Sequence, residues 1–333
     1  MLTRASVSGL LTSRLRRATH SGVLCLSVAL WAPLWVWAQD TGSPPESPLS
    51  GTLEFELVRE RSKFNVIRID EAAVLVSDGG ARSTETFRHL SGSLSAVIAC
   101  GTSVYCTASG GLDSRTGQSS SDADTGTSQA DAGLQWRLGS ATIGARYLRE
   151  QWRVAHKVYM NVQGLAADAA VALNDQISAY ALLNLTVRRH PGDSALLDSH
   201  YQSVTANLRW ATDWGWQSVW TTQATVAREQ NMRDEHAFDN RELMLRLAWE
   251  ATPAPGWELG ASVIAQRVHF AKFDPLLRVR RSDRYTGIDL SLSRHITDHL
   301  EARLDWNSSA FRSRATVFNN DSDSLGLALA WSF

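Results

Sequence analysis

Apolar and polar residues alternate with a period of two along most of the chain, from about Arg61 to Phe333. Successive side chains of a strand point to opposite faces, so each such segment has one apolar face and one polar face. The alternation is clear around Leu245 and Leu304 and is clearest in the last segment, Ser324–Phe333. A helix would need an apolar repeat near 3.6 residues, which these segments lack, so the pattern predicts strands.

The connections between these segments also alternate, with tight turns followed mostly by longer polar loops such as 117–128 and 231–239. Short turns at one end and long loops at the other are typical of transmembrane β-barrels. We therefore predict an all-β fold, an antiparallel transmembrane β-barrel of about fourteen strands with both termini on the periplasmic side. The predicted strands are 62–77, 84–98, 103–115, 128–138, 141–155, 158–173, 177–190, 199–213, 216–230, 240–253, 257–272, 281–296, 300–318 and 321–333.

Tryptophans collect near the tight turns and the C-terminus. Tryptophan favours a membrane interface because its ring is apolar while its N–H needs a partner. A soluble β-sandwich, the alternative fold, has shorter strands and no reason to gather tryptophan at one set of turns. We expect an aromatic girdle formed by Trp136, Trp214, Trp216, Trp249 and Trp257, together with Trp331.

The first part of the chain has the features of a secretory signal peptide. Four arginines and no acids precede an apolar run from Val23 to Ala38, and Val36 and Ala38 suit a small-residue cleavage site. A basic region, a short apolar region and a cleavage site predict export; a retained anchor is the alternative. We assign residues 1–38 to the signal peptide, 39–61 to a proline-containing periplasmic linker and 62–333 to the barrel.

Removing residues 1–38 leaves an excess of acids, and nearly all positive charge is arginine because the chain has only three lysines. A nucleic-acid surface needs a basic excess, so no nucleic-acid partner is expected. The expected partners are outer-membrane lipids and, during biogenesis, the barrel-assembly machinery. No motif indicates a cofactor.

Cys100 and Cys106 have a spacing that suits a disulfide across a hairpin turn in an oxidising compartment, with two free thiols as the alternative.

If the apolar faces meet lipid, the alternating polar residues line the interior. A wide barrel needs a wetted, charge-balanced lumen in any case, and an arginine ladder in the middle of several strands would further suit a conduit. The predicted lumen residues, of both signs, are Arg146, Arg188, Arg209, Glu242, Arg246, Asp289, Glu301, Arg303 and Asp305, with Asn184 and Asn207.

A lumen enzyme is the alternative to a conduit. Ser291 or Ser293 could pair with His295 or His299, as in barrels that carry a Ser–His nucleophile. No acid lies at a spacing that would orient the histidine, and no histidine spacing indicates a metal site. We therefore expect no enzyme and no metal centre.

The end of the chain resembles known barrel sequences. Leu325, Leu327, Leu329, Trp331 and Phe333 resemble the C-terminal signal that the barrel-assembly machinery reads. The stretch Phe273–Arg294 is similar to the late strands of the surface lipoprotein assembly modifier (Slam) barrels. Its Arg-Arg-x-Asp-Arg run is matched by Arg280, Arg281, Asp283 and Arg284.

The resemblance covers about the last sixty residues and implies a barrel that helps to translocate or display a lipoprotein cargo. Slam proteins usually carry a helical periplasmic domain before the barrel, whereas only 39–61 precedes the barrel predicted for this chain. Cargo capture would then need a separate partner. A small-solute porin or channel is the alternative, and a structural or adhesive surface barrel is a further one.

Phe333→Ala should abolish insertion into the outer membrane, because the assembly signal ends at that aromatic residue. Cell fractionation and heat-modifiability on gels measure insertion. A Phe333→Ala protein that reaches the membrane at the normal level and stays heat-modifiable would contradict the signal interpretation.

Overall fold

Fourteen antiparallel strands form a closed barrel in which each strand pairs with its chain neighbours and the first pairs with the last. The computed structural model describes residues 49–69, 75–119, 124–213, 215–233, 238–273 and 279–333. Within these ranges, two short 3-10 helices, Gly192–Leu197 and Thr316–Phe318, lie in loops. No helix in these ranges has the length and apolarity needed to cross a bilayer. The strands are β1 (Leu49–Ile69), β2 (Leu75–Ala99), β3 (Val104–Gly117), β4 (Thr125–Leu138), β5 (Ala141–Val154), β6 (Lys157–Ala172), β7 (Ile177–Arg189), β8 (Ser199–Asp213), β9 (Gln217–Asn231), β10 (Asn240–Ala254), β11 (Trp257–Phe270), β12 (Ser282–His295), β13 (Leu300–Ser313) and β14 (Asn320–Ser332).

The first strand begins earlier than the sequence analysis predicted. β1 starts at Leu49, so residues 49–61, assigned above to a linker, are strand. They pair with β14 from Thr52↔Ser332 onward, which the last strand needs to close the barrel. β13 ends at Ser313 rather than 318, because a 3-10 helix replaces its predicted end. The signal peptide predicted for 1–38 lies outside the described residues.

The two faces of each strand differ as the alternation predicts. Leu243, Leu245 and Leu247 are 47 %, 51 % and 41 % exposed on the outer face of β10, whereas Met244 between them is 7 % exposed on the inner face. Large apolar side chains exposed in this regular way around a whole barrel would aggregate in water and are suited to lipid. The barrel is therefore an integral outer-membrane protein.

Tryptophans on the outer face lie close to the tight-turn end. Trp136, Trp216, Trp257 and Trp331 are 36 % to 46 % exposed there. Trp249 is on the same face, while Trp214 lies outside the described residues. Trp210 and Trp220, which the sequence analysis missed, pair directly across β8 and β9, and Trp220 also contacts Trp249 with ring centroids 6.2 Å apart.

The barrel closes where the two chain ends meet. The backbone of Gly51 and that of Phe333 exchange both N–H···O hydrogen bonds, at 3.0 and 3.1 Å. A Cβ on Gly51 would lie 2.5 Å from the Phe333 ring, so a residue with a side chain at 51 would displace that ring. Phe333 also packs on Trp331, with ring centroids 4.9 Å apart. The terminal aromatic residue is thus part of the closing contact.

Cys100 and Cys106 form a disulfide across the turn between β2 and β3, with Cα atoms 5.8 Å apart. Of the two alternatives left open by the sequence, the structure has the bridge. It links the end of β2 to the start of β3 at the periplasmic rim.

Leu245→Arg should destabilise the barrel by roughly 2–4 kcal/mol, because it puts a charge at mid-depth on the lipid face. Arg246→Leu, one residue along on the inner face, should cost much less. Urea unfolding in lipid vesicles compares the two variants directly. Equal costs would mean that the alternation does not separate lipid from water.

Candidate functional site in the barrel lumen

The structure places all nine predicted lumen residues at inward-facing strand positions. The same alternation defines the inner face wherever side chains of the strands are described, and acids outnumber arginines on it. The inward acids are Glu54, Glu56, Glu60, Glu85, Asp113, Asp131, Glu150, Asp168, Asp213, Glu229, Glu242, Glu250, Glu258, Asp283, Asp289, Glu301 and Asp305. The inward arginines are Arg115, Arg137, Arg146, Arg188, Arg209, Arg246 and Arg303.

Arg303, on β13, reaches across the closing strand β14 to β1. Its Nη2 donates to Glu54 on β1 at 2.9 Å, and its Nε donates to Asp305 on β13 at 2.8 Å. The inward residues of β14 between them are small, and Ala328 is 1 % exposed beneath them. At Gly326 a Cβ would clash with the Glu56 carboxylate. We name the Arg303–Glu54 ion pair across β14 the Arg303 strap. The small side chains on β14 leave space for it.

His89 is held between two carboxylates on the adjoining wall. Its Nδ1 lies 3.0 Å from Glu56 and its Nε2 lies 2.5 Å from Asp113. Glu54, Glu56 and His89 offer atoms within 4.8 Å of one another that could hold a metal ion. A ring that donates from both nitrogens is itself a cation, however, so the histidine already supplies positive charge to these acids.

Sequence reasoning missed this wall. Glu54, Glu56 and Glu60 fell in the predicted linker, although they alternate with Leu53, Phe55 and Leu57 as a strand requires. That alternation was the signal that could have found them. The contact of Glu60 with Arg115 and those of His89 join residues far apart in sequence, which no local pattern shows.

Asp289 is held by neutral donors. Asn307 Nδ2 donates to it at 2.5 Å and Ser262 Oγ donates at 2.8 Å. The predicted ladder residue Arg246 reaches Ser262 Oγ at 3.4 Å. Asp289 is thus fixed in position without a directly paired cation.

The opposite wall has ion pairs of its own. Arg188 donates to Glu229 at 3.1 Å across β8, and its guanidinium lies 3.7 Å from the centroid of the Tyr201 ring. Arg146 lies 3.8 Å from Asp168. Four members of the predicted arginine ladder, Arg146, Arg188, Arg246 and Arg303, are therefore each close to a specific acid or hydroxyl.

The residues that match the Arg-Arg-x-Asp-Arg stretch do not all lie on one face of the barrel wall. Arg281 pairs with Asp283 at 2.7 Å, and the Asp283 side chain is 1 % exposed. Arg281 also lies over the Phe270 and Phe318 rings, 4.6 and 4.3 Å from their centroids. Arg280 donates to the Phe270 carbonyl, whereas Arg284 is exposed on the outer face.

The serine–histidine candidates do not come together. His295 Nε2 lies 3.0 Å from Glu258, and His299 Nδ1 lies 2.9 Å from the Ser332 carbonyl. The described hydrogen bonds of these two histidines thus involve neither Ser291 nor Ser293.

At the extracellular mouth, the loop after β7 is held by Asp198. This side chain accepts the His190 N–H at 2.7 Å and Arg189 Nη1 at 3.2 Å, and Arg233 lies 3.6 Å away. Burial tends to raise the pKa of Asp198, but the His190 N–H and the two arginines outweigh it and lower the pKa below its ordinary value. The carboxylate therefore stays charged and keeps the loop in place at neutral pH.

No family model matches the chain, and no curated protein sequence matches it. Several solved outer-membrane proteins match the structure at low similarity. A loop-deletion mutant of OmpT, an outer membrane protein of Vibrio cholerae, is 7 % identical with a TM-score of 0.46, and the match covers 85 % of this chain and 99 % of that one. A Pseudomonas aeruginosa FadL homologue is 9 % identical with a TM-score of 0.45, covering 86 % and 90 %. Pseudomonas aeruginosa OccK9 is 11 % identical with a TM-score of 0.42, covering 86 % and 98 %.

Arg281→Gln should destabilise the barrel by about 3–5 kcal/mol, because it leaves the buried Asp283 carboxylate without its cation. Arg284→Gln, three residues along on the exposed outer face, should change stability by under about 1 kcal/mol. Urea unfolding of both variants measures the difference. Similar values would show that the Arg281–Asp283 pair adds nothing to stability.

Proposed function

We propose that the protein is a water-filled channel for small polar solutes and that it prefers cations. The observation that carries the proposal is the inner wall from β12 through β14 to β3. Acids outnumber cations on this wall, and most of these acids accept hydrogen bonds that hold them in place. Charged rings of one sign in a pore set its ion preference, and a low-dielectric wall strengthens their field.

The acids on this wall are accessible to water although they point into the barrel. The side chains of Glu54, Asp305 and Asp113 are 18 %, 28 % and 34 % exposed. Partial exposure of inward-facing carboxylates means that the interior has space for solvent beside them. Fixed carboxylates next to water are able to attract a passing cation without first rearranging.

Asp289 is the most informative acid to change, since its described hydrogen-bond donors are neutral. Its negative charge is therefore not cancelled by a direct ion pair, unlike that of Asp305 or Glu229. Glu229 and Asp168 on the opposite wall lie beside arginines, and that wall, from β4 to β11, carries five of the seven inward arginines. The opposite wall therefore adds less to the negative field.

In planar bilayers under a KCl gradient, the reversal potential of the wild-type protein should show preference for K⁺ over Cl⁻. Asp289→Asn should reduce this preference because it removes an uncompensated lumen charge. The matched control is Asp323→Asn, which removes one exposed charge from the outer face. An anion-preferring channel, no conductance, or an equal effect of the two variants would rule out the proposal.

Translocation or surface display of a lipoprotein, as in the Slam barrels, is a second candidate. The residue match at Arg280, Arg281, Asp283 and Arg284 favours it. Arg281 and Asp283 form a buried pair at the start of β12, where the extracellular loop meets the barrel, which suits a rim that guides a polypeptide.

Protease shaving of intact cells tests this second candidate. Cells that lack the barrel should lose surface exposure of a lipoprotein encoded nearby, and complementation with the wild-type barrel should restore it. Asp289→Asn should also restore it, since that variant alters ion preference alone. Unchanged shaving in the deletion strain would exclude lipoprotein display while leaving the channel proposal intact.

A further inference from the structure

Arginines form a row on the outer face of β9 to β12, near the extracellular end of the strands. Arg228, Arg241, Arg267 and Arg284 are all exposed there, and we name them the outer arginine row. This row faces away from the lumen, so neither channel activity nor cargo transport explains it.

The register sets like charges directly opposite each other in this row. Arg228 pairs with Arg241 across β9 and β10, and Arg267 pairs with Arg284 across β11 and β12. Arg241 also faces His269 on β11. Like charges in directly opposed positions destabilise a sheet unless something offsets them.

No acid in the described part of the chain compensates the repulsion between these arginines. Strands β9 to β12 carry no acid on their outer face, because Glu229 and Glu242 point inward. None of the four arginines has an ion pair or side-chain hydrogen bond with another described residue. Arg312 on β13 differs, since it pairs with Asp321 at 2.5 Å.

The row marks one boundary of the apolar belt. On β11 the outer face runs from Trp257 through Leu259, Ala261, Val263 and Ala265 to Arg267. Ten residues of strand tilted by about 40° span about 25 Å along the membrane normal, which is the height of the apolar band of such barrels. The arginines therefore lie at the extracellular headgroup level.

We propose that the outer arginine row binds the phosphate groups of outer-leaflet glycolipid, that is, of lipid A. Arginine is suited to this ligand because its planar guanidinium donates two parallel hydrogen bonds to a phosphate. One phosphate between two facing arginines would convert their repulsion into attraction. The scarcity of lysine in the chain fits the same chemistry. The proposal does not depend on what passes through the lumen.

Thermal unfolding in an uncharged maltoside detergent, followed by heat-modifiability, tests the proposal. Bisphosphorylated lipid A should raise the midpoint of the wild-type barrel. The R228Q/R241Q/R267Q/R284Q variant should lose more than half of that rise, while its midpoint in detergent alone should equal or exceed that of the wild type. A merely structural role for the row would instead lower the midpoint in detergent alone.

The matched control is R59Q/R88Q/R149Q/R153Q, which removes the same charge from exposed outer-face arginines whose cross-strand partners are uncharged. This control should keep the rise with lipid A. If the fourfold row variant fails to fold, R241Q/R284Q takes its place and should lose a smaller part of the rise.

Two other compounds, added to the wild-type barrel in place of lipid A, distinguish lipid-bound phosphate from acyl chains and from free phosphate. Dephosphorylated lipid A and inorganic phosphate should each leave the wild-type midpoint nearly unchanged. A rise with dephosphorylated lipid A would assign the effect to acyl chains, and a rise with inorganic phosphate would assign it to a free anion. Either result, or an equal loss in the control variant, would overturn the proposal.

Discussion

Backbone hydrogen bonding in lipid is the constraint on which the rest of this structure depends. Hydrocarbon offers no partners for N–H and C=O groups, so a membrane-spanning sheet must close on itself. Here the closure joins β1 to β14 along their length and ends in the reciprocal bonds between Gly51 and Phe333. The missing side chain at Gly51 and the small inward residues of β14 follow from that requirement, since both keep space for the groups that meet at the closing contact.

Because a strand alternates strictly, a shift of one position decides what an arginine does. Arg246 points into the lumen between two leucines that face lipid, and Arg281 and Arg284 lie on opposite sides of the wall although they belong to one short motif. The inward arginines are matched with carboxylates in a partly hydrated interior, as the pairs of Arg188 and Arg303 show. The four arginines of the outer arginine row have no such partner within the described strands. One residue type therefore serves as an internal counter-ion on one face and as an anion ligand on the other.

Local patterns predicted most of the fold. The period of two, the turn residues and the tryptophans gave the strand number, the closed antiparallel barrel and the direction of side chains such as Leu245 and Arg303. The start of β1 was wrong because prolines before it suggested a linker, although Leu53, Phe55 and Leu57 already alternated with acids. The end of β13 was wrong because a 3-10 helix is not distinguished from a strand end by alternation alone.

The lumen contacts could be predicted only in part. Alternation shows which face a residue occupies, and the nine predicted lumen residues occupy inward-facing strand positions. It does not show which residues meet, because that depends on register between strands distant in sequence, as for His89 with Asp113 or Arg303 with Glu54. The like-charge pairs of the outer row also became visible only once the register was known, since Arg228 and Arg241 look like ordinary strand ends in the sequence.

The Arg303 strap has a consequence for the order of assembly. It joins the first strand to the thirteenth and passes over the fourteenth, so it is able to form only after the chain ends have met. Its formation is therefore a late event that reports completed closure, whereas the hairpin contacts between neighbouring strands are available to unfinished, open sheets as well. A barrel that is inserted but not sealed would hold Arg303 and Glu54 as separate charges, each open to water. It would differ from the finished protein at the Arg303–Glu54 contact more than at any contact within its hairpins.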